Sequence, residues 1–127
     1  MNDMRKYIKL VESAIESADD IIPGELPKYN TLAKQLAAVQ KYGPAIEYIK
    51  NPSEEVKLAA VQKTGWAIEY IPNPSENVKL AAVSQDGHVI RYIDNPSELV
   101  CLAAIRQNPK AIEWIRNPTI EMKLLAS

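Results

Sequence analysis

The chain has few of the residues from which enzyme centres and metal sites are usually built. It contains one histidine and one cysteine. His88 alone cannot form a multi-histidine site, and structural zinc takes about four ligands, so neither a metal nor a cofactor is expected. A single cysteine, Cys101, excludes an internal disulfide framework, and a cytoplasmic location is the default expectation. No run of about 18 apolar residues occurs, which predicts no membrane span. The opening Met1-Asn2-Asp3-Met4-Arg5-Lys6 lacks the apolar centre of a signal peptide. Phenylalanine is absent, so Leu, Ile, Val, Ala, Tyr and two Trp must fill the core. The four glycines form no phosphate-binding loop.

Charge of one sign is also scarce. The formal net charge is −1, with six acids and four bases in residues 1–28 and ten acids and eleven bases in residues 29–127. A nucleic-acid binder usually carries a basic patch or stripe, and a DNA mimic would need an acidic excess. At 127 residues, 46% apolar and 24% charged, the chain has the size and composition of one ordinary globular domain.

What the chain does contain is a repeat. Asn51-Pro52-Ser53-Glu54, Asn73-Pro74-Ser75-Glu76 and Asn95-Pro96-Ser97-Glu98 recur every 22 residues, and Asn117-Pro118-Thr119 begins another copy at the same spacing. A period this short marks small units that bury their apolar faces only by packing on one another. The units fall near 29–50, 51–72, 73–94 and 95–116, with a half unit at 117–127.

Each unit reads as two helices. Thr31, Ser53, Ser75, Ser97 and Thr119 share one column, and a Ser or Thr oxygen before an apolar-periodic run accepts a bond from a free helix N–H. Glu54 and Glu55 follow where negative charge meets the positive helix end. The preceding proline restricts the entry. The first helix then runs about ten residues with a wide apolar stripe, through Val56, Leu58, Ala59, Ala60 and Val61. It is expected to end near Gly43, Gly65 and Gly87, because glycine tolerates the left-handed backbone common at helix ends. Asn108-Pro109 is expected to give a different break. A shorter second helix follows, as in Ala67-Ile68-Glu69-Tyr70-Ile71, closed by Asn-Pro. Residues 1–28 read as an amphipathic capping helix (Met4, Tyr7, Ile8, Val11, Ala14, Ile15, Ala18) and a proline-rich connector. The fold class is therefore all-α: a short α-solenoid of about four and a half 22-residue helix-turn-helix repeats with an N-terminal capping helix, right-handed by analogy with other helical arrays.

The Leu-Ala-Ala-Val core and the Ala-Ile-x-Tyr-Ile segment resemble a family of short helical repeats found in phage and bacterial proteins, over about residues 30–127. That resemblance implies the architecture and supplies no catalytic residues. It implies a small protein that binds a host protein, in the host cytoplasm if phage-encoded.

Three columns could carry binding. Tyr48, Tyr70, Tyr92 and Trp114 would form an aromatic ladder, either a stacking platform or, as favoured here, rings packed between units with a polar edge outside. Glu47, Glu69, Arg91 and Glu113 should face solvent. Pro44, Trp66, His88 and Lys110 vary at the turn, beside Tyr42, Thr64, Asp86 and Asn108; Trp and Tyr are favoured anchors of interfaces. The expected partner-binding residues are Tyr42, Trp66, His88, Lys110, Arg106 and Trp114, along one edge of the array. Cys101 stands in a lysine column (Lys57, Lys79, Lys123) and is expected to be partly exposed, with no base beside it to activate a nucleophile.

The expected function is a non-catalytic protein-binding module whose partner is another protein, in sharper form a phage-encoded inhibitor of a host enzyme or defence complex. The alternative is a nucleic-acid binder using the aromatic ladder with Lys41, Lys63, Arg91, Arg106 and Lys110. Self-association through the ends of the array stays open. The paired alanines (37/38, 59/60, 81/82, 103/104) should let helices approach closely. Ala60→Leu should therefore overpack the core and lower stability by roughly 1–3 kcal/mol, measured as a reduced denaturation midpoint with an unchanged slope.

Overall fold

A computed structural model describes residues 31–127. The capping helix and connector expected at residues 1–28 lie outside the described residues. Five α-helices alternate with four 3-10 helices: α1 (Leu32–Lys41), η1 (Gly43–Tyr48), α2 (Glu54–Lys63), η2 (Gly65–Tyr70), α3 (Glu76–Gln85), η3 (Gly87–Tyr92), α4 (Glu98–Gln107), η4 (Pro109–Trp114) and α5 (Ile120–Ala126). Among the described residues there is no strand.

The start of each α-helix follows from its cap. Thr31, Ser53, Ser75, Ser97 and Thr119 all accept a bond from the backbone N–H three residues on, each satisfying one of the donors a helix leaves free. A single polar residue in the right column thus repeats the same helix start five times. The full α-helices are ten residues long, as the periodicity predicts.

The second helix of each unit is a 3-10 helix of six residues. Its period of three places Ile68 and Ile71 on one side, and both are buried. Runs of this kind seldom exceed three or four residues. Here burial of Ala67, Ile68 and Ile71 in one unit, and of Val89, Ile90 and Ile93 in the next, outweighs the poorer hydrogen-bond geometry.

The glycines act differently from the expectation. None of Gly43, Gly65 and Gly87 has a left-handed φ; each opens a 3-10 helix. The left-handed residues are the asparagines of the Asn-Pro turns, Asn51 (φ 51°), Asn73 (49°), Asn95 (48°) and Asn117 (56°), and asparagine tolerates that region better than most side chains. What excludes a side chain at the glycines is the next unit. A Cβ on Gly43, Gly65 or Gly87 would lie 2.6, 2.8 or 2.4 Å from the carbonyl oxygen of Ala60, Ala82 or Ala104. Asn108-Pro109 makes no different break either. Asn108 has φ −153°, as does Asp86, and Pro109 takes the first 3-10 position, where a missing N–H costs least.

Units are joined by repeated contacts. Gly65 N–H donates to Gln85 Oε1 and Gly87 N–H to Gln107 Oε1, both at 2.7 Å. Ser75 and Ser97 donate their hydroxyls to Glu54 and Glu76 of the preceding unit. The Ser and Glu of Asn-Pro-Ser-Glu therefore serve the junction between units as well as their own helices. Each of the three inner α-helices packs on its neighbouring α-helices, on the 3-10 helix of its own unit and on that of the unit before, and every element contact among the described residues is within a unit or between adjacent units. One apolar core runs through the array, from Val39 and Ile46 to Ala111 and Met122. This is repeated helix–turn–helix packing with each unit laid against the next.

The glycine junction yields a direct test. Replacing glycine by alanine stabilises by about 0.4–1 kcal/mol where space allows, through the unfolded chain. At Gly87 the new methyl meets a backbone carbonyl that cannot swing away, and overpacking of roughly 1–3 kcal/mol should win. Gly87→Ala should lower the urea midpoint, and an unchanged or raised midpoint would show that the units can slide apart without loss.

Candidate functional site

The Ile residues of each 3-10 helix turn inward, so the residues between them point out. Glu47, Glu69, Arg91 and Glu113 are all exposed, as expected. The aromatic column departs from expectation. Tyr48 is half-buried, but Tyr70, Tyr92 and Trp114 are 37%, 40% and 49% exposed. Half or more of each is covered by its neighbours, and the rest is open to solvent.

These rings are organised by contacts. The Arg91 guanidinium lies 5.0 Å from the Tyr92 ring centre and 5.5 Å from that of Trp114, and it donates to Tyr92 Oη at 3.1 Å. The cation thus bridges aromatic rings of two adjacent units, an attraction of about 0.5–1 kcal/mol at exposed sites. Trp66 meets Tyr70 edge to face at 6.2 Å and 61°.

The aromatic column walls a series of clefts. The first (about 360 Å³) is lined by Ile46, Glu47, Ile49, Asn51, Pro52, Lys57, Tyr70 and Pro72. The second (about 410 Å³) has Ile68, Ile71, Pro72, Asn73, Pro74, Lys79, Tyr92, Ile93 and Asp94. The third (about 590 Å³) has Ile93, Asp94, Asn95, Pro96, Cys101, Trp114, Ile115, Arg116 and Asn117. Each combines an Asn-Pro turn, isoleucines and one ring from the following unit. The third is widest, and there the lysine of the column is replaced by the smaller Cys101.

The expected binding residues are only partly gathered. Trp114 walls the third cleft, and Trp66, 39% exposed, flanks Tyr70. Arg106 and Lys110 are exposed, while Tyr42 and His88 are half-buried and Pro44 is buried. The turn edge is therefore no uniform surface. Backbone capping explains part of its variation: Asp86 and Asn108 accept from the N–H of His88 and Lys110 at 3.1 and 3.0 Å. Tyr42, Trp66, His88, Arg106 and Lys110 line none of the three clefts. Sequence reasoning left Tyr70, Tyr92 and Arg91 out of the protein-binding set and placed them in the nucleic-acid alternative. The signal was the Tyr/Trp column itself, which recurs once per unit.

Among the described residues, no group of three or more His, Cys, Asp or Glu could hold a metal, and no helix is long and apolar enough to cross a membrane. Cys101 is 3% exposed, a correction to the partly exposed thiol expected from its lysine column. Its Sγ donates to the Pro96 carbonyl at 4.0 Å. Burial, and secondarily the Glu98 carboxylate, push its pKa up. No family model, curated protein or solved structure matches the chain.

A raised pKa leaves little thiolate, the reactive form. Cys101 in the folded chain should therefore react with a disulfide reagent more slowly than in urea, and the folded rate should keep rising past the pH at which an ordinary thiol plateaus. Equal rates in the two states would place the sulfur at the surface.

Proposed function

We propose that the chain is a non-catalytic protein-binding repeat module, an α-solenoid of about four and a half units that presents its aromatic face to another protein. The observation that carries this reading is the row Tyr70, Tyr92 and Trp114, exposed on three consecutive units, the last two bridged by Arg91. Tyr, Trp and Arg dominate the energetics of protein interfaces. Rings held by neighbours lose little freedom on binding, which lowers the cost of association. The sharper form, a phage-encoded inhibitor of a host enzyme or defence complex acting in the host cytoplasm, rests on the resemblance of the repeat unit. The favoured site moves from the turn edge to the aromatic clefts. Nucleic acid gains no support from the face: Lys57, Lys79 and Arg116 share the clefts with Glu47 and Asp94.

The test is capture from lysate by the immobilised chain. Tyr92→Ala with Trp114→Ala should remove a specifically captured protein, a loss of about 2 kcal/mol or more in affinity. Tyr42→Ala with Lys110→Ala should leave it. Loss in the second pair alone would return the site to the turn edge, and recovery of nucleic acid with salt-sensitive binding would replace the proposed partner class.

A further inference from the structure

The junctions between units are not built alike. The second junction joins units 51–72 and 73–94, and the third joins 73–94 and 95–116. Each carries two bonds. Gly65 N–H donates to Gln85 and Gly87 N–H to Gln107 at 2.7 Å. Ser75 and Ser97 donate their hydroxyls to Glu54 and Glu76 of the preceding unit. At the first junction, between units 29–50 and 51–72, the same two columns hold Lys63 and Leu32. A lysine ammonium only donates and leucine has no polar side-chain atom. Neither the Gly43 N–H nor the Ser53 hydroxyl meets the acceptor that its column-mates use. Close approach is nevertheless kept, since a Cβ on Gly43 would lie 2.6 Å from the Ala60 carbonyl oxygen. The first unit is stacked like the others but lacks both fastenings.

Hydrogen bonds and apolar contact restrain different motions. A hydrogen bond weakens steeply as its angle falls below about 120°. Apolar burial is non-directional and tolerates small sliding of packed helices. Tilting one unit on the next is therefore opposed most at the second and third junctions. Two bonds of ordinary net strength shift the balance between docked and tilted states by on the order of tenfold to a hundredfold.

The clefts straddle these junctions in turn. In the first, Ile46, Glu47 and Ile49 of one unit stand across from Tyr70 and Pro72 of the next, so its two sides meet at the unfastened junction. The second and third clefts span the fastened ones. We infer that residues 51–116 form a rigid body and that the first unit is hinged on it. The first unit tilts at the Asn51-Pro52 turn and changes the width of the first cleft, while the second and third clefts keep theirs. Tyr70, Tyr92 and Trp114 all stand on the rigid part, at fixed spacing. The hinge holds whatever the aromatic face binds.

The test uses the full chain with Cys101→Ala and pairs of spin labels. Labels at Gln40→Cys and Ser84→Cys span the first and second junctions; labels at Gln62→Cys and Arg106→Cys span the second and third. All four positions are exposed and share one column. Pulsed electron–electron double resonance should give a broader distance distribution for the first pair. Lys63→Gln with Leu32→Glu transplants the inner fastenings to the first junction, at two exposed positions. That double variant should narrow the first pair to the width of the second and slow amide exchange in α1 about tenfold. Gln107→Lys with Glu76→Leu should broaden the second pair and leave the first unchanged. Equal widths for the two pairs in the otherwise unaltered chain, a first pair that stays broad after the transplant, or a second pair untouched by loss of its fastenings would each overturn the inference.

Discussion

The junction at which the first residue of a 3-10 helix meets the last turn of the next α-helix sets the rest of the structure. A glycine is required there because the carbonyl oxygen of Ala60, Ala82 or Ala104 occupies the space a Cβ would take. At two junctions the close approach is locked by the glycine N–H bonding to Gln85 or Gln107. A helix N-terminus otherwise leaves such donors free. The junction satisfies one of them with the neighbouring unit, so forming the helix and docking the unit become one event. Spacing, core closure and the position of every outward column follow from that approach.

On the opposite side of each unit, the Asn-Pro-Ser-Glu turn supplies the second fastening. Asparagine takes the left-handed turn, serine caps its own α-helix, and its hydroxyl reaches back to the previous glutamate. Individually such bonds contribute about 1 kcal/mol. Their value lies in repetition, since contacts here are confined to neighbours and stability grows unit by unit. The departures are informative for the same reason. Cys101 replaces the lysine beside one cleft, and its thiol is buried.

The exposed aromatic face follows from the burial of the isoleucines. With three residues per turn, the isoleucines of η2 and η3 stack inward and the residues between them are forced out. Each residue is about 120° from the last, so Glu69 and Tyr70 lie on the two sides away from Ile68 and Ile71. Tyr70, Tyr92 and Trp114 thus stand exposed beside clefts, with Arg91 between the last two rings. The clefts are properties of the packed array and of no single unit.

Sequence alone was sufficient for the period, the serine caps, the ten-residue helices and the solvent-facing Glu/Arg column, because each depends on neighbours a few residues away. It misassigned the glycines, the exposure of the aromatic column and the burial of Cys101, because each is decided by residues of another unit. Gly87 is constrained by Ala104, Arg91 lies against both Tyr92 and Trp114, and Cys101 is buried where its column-mates Lys57 and Lys79 are half-buried. Local chemistry determined what each unit is. Only the close stacking of units decided which side chains are left for a partner, since a surface is what remains after packing has taken its share.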